Sequence, residues 1–73
     1  MKWLTNYNDP QGRTFKIETM EFVKGNMPTQ YVVYAFDKNR FNTHDHAQDS
    51  LKMAKECAFD EFGVPVDSWH QVE

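Results

Sequence analysis

His44 and His46 stand on either side of Asp45, and Cys57 and His70 follow them. Imidazole, carboxylate and thiol are the donor types of a zinc site. The spacing does not assemble one: residues two apart on a helix point in different directions, and the chain has no Cys-x-x-Cys or His-x-x-x-His pair. Cys57 raises nucleophilic catalysis as a second chemistry. A reactive thiol sits at a helix N-terminus or in an electropositive pocket, whereas Cys57 lies well down an expected helix, near Glu56 and Glu61. No Walker loop, Gly-x-Gly-x-x-Gly, Gly-x-Ser-x-Gly or His-Glu-x-x-His motif occurs. No catalytic residue, metal ligand or cofactor is assigned, and a non-enzymatic protein is expected.

Recognition by charge is the stronger reading. Asp45, Asp49, Glu56 and Asp60 fall along one side of a helix expected from Thr43 to Phe62. Asp45 with Asp49, and Glu56 with Asp60, are like-charged i, i+4 pairs, each costing about 0.2 to 0.5 kcal/mol of helix stability. A face shaped for helix stability alone would alternate signs. This one suits a partner protein with a basic surface, or mimicry of a nucleic-acid backbone. A rival set lies in the first half of the chain, where Tyr7, Phe15, Tyr31, Tyr34 and Phe36 accompany Arg13, Lys16, Lys38 and Arg40. On a sheet these residues could stack bases and neutralise phosphates.

The elements that must position these residues follow from periodicity and turn chemistry. Met1 to Tyr7 reads as a first strand, closed by the turn formers Asn8 to Gly12. From Thr14 the pattern has period two, with Phe15 and Ile17 on one face. Met20 and Phe22 then shift to the other parity, which calls for a bulge or bend near Glu18 to Met20. A loop is expected from Gly25 to Gln30. Tyr31 to Phe36 is a strand apolar on both faces. A polar connection, Asp37 to Arg40, leads to the helix, with Asn42 or Thr43 as its N-cap. Ala47, Leu51, Ala54, Ala58 and Phe62 form its apolar stripe, and Gly63, Val64 and Pro65 end it. Trp69, in the tail from Val66 to Glu73, is expected to dock on the sheet or the helix end.

Two partial family resemblances lie in this second half. Phe41-Asn42-Thr43 before an alanine-bearing helix resembles the sheet-to-helix junction of plant ethylene-response DNA-binding domains, which implies a three-stranded sheet braced by a helix. Ala54-x-x-x-Ala58-Phe59-x-x-Phe62-Gly63 is similar to the last helix of double-stranded-RNA-binding domains. The chain departs from both: His44, Asp45 and His46 stand where the RNA-binding family has basic residues, and the arginines and tryptophans of the plant family's strands are largely missing.

Together these elements predict a single α+β domain over residues 1–73, with a three-stranded antiparallel meander and one long C-terminal helix packed on one face. The tail adds a short fourth strand or a docked segment. The core joins the helix stripe to Phe15, Ile17, Val32, Tyr34 and Phe36, or to the opposite-face alternates. At this length roughly 60% of the unfolded surface is buried on folding, and an aromatic content of 15% can supply the core. The net charge of −3 divides into +2 over residues 1–41 and −5 over residues 42–73, an asymmetry that bears on partners rather than on fold. One cysteine forms no internal disulfide, and no apolar run approaches the roughly 20 residues that cross a bilayer. Met1 to Asn8 has no apolar stretch of signal-peptide length, so a cytoplasmic protein without a membrane role is expected.

The expected function is binding of a macromolecule. A protein-binding inhibitor or regulator using the acidic helix face comes first, of a size seen in phage and mobile-element accessory proteins. The alternatives are a nucleic-acid-binding sheet and a homo-oligomeric module that buries the second sheet face against its own copy.

Overall fold

The computed structural model describes residues 1–21 and 29–73; Phe22 and most of the loop expected from Gly25 to Gln30 lie outside the described residues. The order is β1 (Lys2–Thr5), β2 (Thr14–Met20), β3 (Gln30–Phe36), β4 (Asn42–Gln48), α1 (Leu51–Phe62) and β5 (Trp69–Gln71). The fold is α+β: the strands form one sheet in the order β4-β3-β2-β1-β5, every neighbouring pair antiparallel. The expected three-stranded meander is therefore the centre of a five-stranded sheet. The tail supplies one edge strand, and a segment expected to be helical supplies the other.

That segment is the main correction. Asn42–Gln48 pairs with β3, and the helix starts only at Leu51. Within Asn42–Gln48 no large apolar residue exists to hold a helix on the sheet, whereas β3 offers an unpaired edge whose N–H and C=O groups need partners. The turn between them favours pairing: the Arg40 N–H donates to Asp37 O at 2.9 Å, and Arg40 takes a left-handed φ of 69°. This is the geometry of a short hairpin loop with one positive-φ residue. Phe41-Asn42-Thr43 thus opens a strand and is not a sheet-to-helix junction. The register skips one residue at Thr43, between the pairs Ala35 with His44 and Phe36 with Asn42.

The cap of α1 is Ser50, whose hydroxyl accepts from the Met53 N–H at 3.1 Å. The other end is as expected from sequence. Gly63 adopts φ 77° and donates to Phe59 O at 2.9 Å, and Val64 behind it is fully buried. Twelve residues make a helix of roughly 18 Å, not the 30 Å of the longer reading.

The register decides which sheet face the helix covers. Phe15 pairs with Ala35 and Ile17 with Val33, so these residues share a face. The core is this face with Trp3, Ala54, Ala58, Phe62, Val64 and Trp69. Small Ala54 and Ala58, both at 0% exposure, let the helix lie close to β3 and β4. Phe62 fills the space beside Phe15, ring centres 5.1 Å apart. Val32, Tyr34 and Phe36 face the other way, so the helix-side core uses the alternates Val33 and Ala35; Val32 is nonetheless buried, at 5% exposure, whereas Tyr34 and Phe36 are half-buried. No bulge occurs at Glu18 to Met20: β2 pairs without interruption from Thr14 to Met20. Met20 is simply left 46% exposed, so its parity needs no correction.

Candidate functional site

The histidines are not gathered into a site: His46 is half-buried, and His44 and His70 are exposed. On β4, His44 and His46 face the helix and stack at 6.0 Å, with the Phe62 ring 5.4 Å and 6.4 Å away respectively. His46 Nε2 is sealed without a hydrogen-bond partner. His70 is across the sheet on β5, and Cys57 is half-buried on α1. Burial, and then the nearby Glu61 carboxylate, push the Cys57 thiol up from its ordinary value. Among the described residues no group of three or more His, Cys, Asp and Glu side chains is placed to hold a metal.

The four acids do not share a helix face. Asp45 is on β4 opposite Tyr34, pointing away from the helix, and Asp49 lies in the connection before α1, where it accepts from Gln30 Nε2 at 3.2 Å. Only Glu56 and Asp60 stand on α1, both exposed. With Gln48, Met53, Cys57 and Glu61 they line a shallow groove of about 310 Å³. Sequence reasoning extended the helix eight residues too far, and two of the four acids left it with that extension.

The basic and aromatic set is also divided. Tyr31 points to the helix side, 5.9 Å from the Trp3 ring. Arg13 is bound to Asp9, its Nε donating to Oδ2 at 2.9 Å and its Nη2 to Oδ1 at 3.0 Å. The Gln11 and Arg13 N–H groups donate to the same carboxylate at 3.0 and 3.1 Å, and the Asp9 side chain is 1% exposed. The Arg13 hydrogen bond is the main cause holding the Asp9 carboxyl below the usual carboxylate range; the same bond, donated to Asp9, raises Arg13. The guanidinium also lies 5.2 Å from the Phe62 ring centre and 5.7 Å from that of Phe15. It is a fastener of the β1–β2 hairpin. Lys38 and Arg40 sit exposed on the β3–β4 turn beside Phe41.

Lys16 and Tyr34 do come together, on the sheet face opposite the helix. Register places His70, Leu4, Lys16, Tyr34 and Asp45 in one row across five strands. A second row runs Lys2, Glu18, Val32 and Ala47. Lys16 Nζ stands 5.0 Å from the Tyr34 ring centre and 5.8 Å from that of Phe36, and pairs with Glu18 at 2.9 Å. Tyr34 and Phe36 stack at 6.4 Å. No described helix or strand packs on this face, which is only partly open: Leu4 is 38% exposed and Asp45 and Ala47 are exposed as well, Lys16, Tyr34 and Phe36 are half-buried, and Val32 is buried among its neighbours. Leu4, Val32 and Ala47 were missed as site residues. The signal that could have found them is the double-sided apolar pattern of Tyr31 to Phe36, since one helix cannot cover both faces.

Among the described residues no helix is long and apolar enough to cross a membrane. No protein-family model, curated protein or solved structure matches the chain.

Proposed function

We propose that the chain is a small non-enzymatic protein-binding module, a regulator or inhibitor, whose working surface is the sheet face opposite α1. The observation that carries this reading is the row of exposed Leu4 and Asp45 and half-buried Lys16 and Tyr34, beside half-buried Phe36, exposed Ala47 and the buried Val32. A central tyrosine among aliphatic groups, flanked by charges of both signs, is the composition of a protein-binding hot spot. Both lysines of the face are already paired, Lys2 with Glu73 at 2.8 Å and Lys16 with Glu18. A surface with that charge balance favours a protein over a polyanion.

A second reading, nucleic-acid binding, is supported by Lys38, Arg40 and a 69% exposed Phe41 at the β3–β4 turn. It predicts retention on nucleic acid that falls steeply with salt. Gel shifts with Lys38→Ala and Arg40→Ala test it; absence of binding at low ionic strength rejects it.

The primary reading is tested by quantitative capture from a lysate of the source cells, with wild type beside Tyr34→Ala/Phe36→Ser. A protein held by wild type and lost with the double variant is the expected result. Identical capture by both chains rejects the sheet face as the binding surface.

A further inference from the structure

Helix α1 carries its charges in the order that its own dipole disfavours. Lys52 stands in the first turn and Asp60 and Glu61 in the last, with no acid in the first turn and no base in the last. A lone helix is stabilised by the reverse arrangement. An antiparallel neighbour with the same sequence corrects it, because its last-turn acids then lie beside Lys52 and the two dipoles oppose.

The outer side of α1 is suited to such a neighbour. Lys52, Met53, Glu56, Phe59 and Asp60 are all exposed, and their spacing places them on one face. Met53 is 44% and Phe59 54% exposed, large apolar side chains that no described element covers. The face is also symmetric about Glu56: Lys52 and Asp60 lie four residues to either side, and Met53 and Phe59 three. A two-fold axis at Glu56 therefore pairs Lys52 with Asp60 of the second copy, and Met53 with its Phe59, each contact occurring twice. An isologous interface requires this self-complementarity. Sulfur against an aromatic ring and ammonium against carboxylate are both favourable contacts.

We infer that two copies of this chain associate through α1, antiparallel, about an axis at Glu56. The surface differs from the sheet face, so a dimer leaves that face free in both copies. A contact along about 18 Å of helix is small, and a weak, salt-sensitive dimer follows. Glu56 meets its own copy on the axis, and this repulsion limits the affinity.

Sedimentation equilibrium at low ionic strength tests the arrangement with Lys52→Asp and Asp60→Lys. Each variant alone places like charges together at both paired positions and should weaken self-association about tenfold or more. An equimolar mixture of the two restores both charge pairs, and the mixed dimer should form at wild-type strength or better. Glu56→Gln should tighten the dimer, and Tyr34→Ala should leave it unchanged. Both charge variants follow the helix dipole, so circular dichroism should show a folded chain with a thermal midpoint at or above that of wild type. A wild type that stays monomeric to about 1 mM, charge variants that still dimerise, or a mixture that fails to restore association would each overturn the proposal, as would loss of the dimer in Tyr34→Ala.

Discussion

Asp9 is the most constrained charged residue described, and its role is structural. Four donors converge on a carboxylate that is almost wholly buried, and the cation that satisfies it spreads over two aromatic rings. Arg13→Ala leaves that charge buried without its partner and should lower stability by about 3 kcal/mol, read by urea unfolding at pH 7. The acid dependence has a definite sign. Asp9 is held below its unfolded value, near 3.9, so its contribution is complete above that pH and disappears as pH falls through the lower folded value. Asp9→Asn should therefore be less stable than wild type at pH 7, with the difference shrinking toward pH 3; a constant difference would contradict this assignment. Sequence placed a turn at Asn8 to Gly12 correctly, because Pro10 and Gly12 act locally. It offered Arg13 to a ligand instead of to Asp9, because nothing in the order of residues reveals that a carboxylate four positions earlier is buried.

At the scale of the element, α1 has one end legible in the sequence and one that was not. Gly63, Val64 and Pro65 stop a helix by local backbone chemistry, and the structure stops there. The start was misread because Ala47 and Leu51 are four apart and imitate one more helical turn, while the strand state of Asn42–Gln48 depends on a partner strand. Asp49-Ser50 directly before Leu51 was the local clue. Ser50→Ala should cost about 1 kcal/mol, read as a fall in urea midpoint, and Thr43→Ala should leave the helical circular-dichroism signal intact. Gly63→Ala should cost about 1 kcal/mol through the left-handed backbone. Steric conflict adds little there, since an added Cβ would meet Tyr7 Oη at an ordinary 3.7 Å.

At the scale of the whole molecule, the described residues form a five-stranded sheet with one short helix, and one helix covers only one face. The double-sided strand Tyr31 to Phe36 made the second face legible as a question. Which residues belong to it was not legible, because register alone sends Val33 to the helix side and Val32 to the opposite face. The opposite charges of the two halves of the chain also change meaning in three dimensions. Asp45 is carried by β4 onto the same face as Lys16, so the sheet is mixed in sign, while α1 segregates Lys52 and Lys55 from Asp60 and Glu61 along its length. The proposed protein-binding face on the sheet and the proposed self-association face on α1 are separate surfaces, and their variants are separable. Tyr31 and Tyr34 supply the most direct test of the first, being the same residue type three positions apart on opposite faces of one strand. With a photo-crosslinking amino acid in place of either tyrosine, a covalent adduct to a cellular protein is expected from position 34 and none from position 31. Equal adducts from both positions, or none from position 34, would contradict the sheet face as the binding surface.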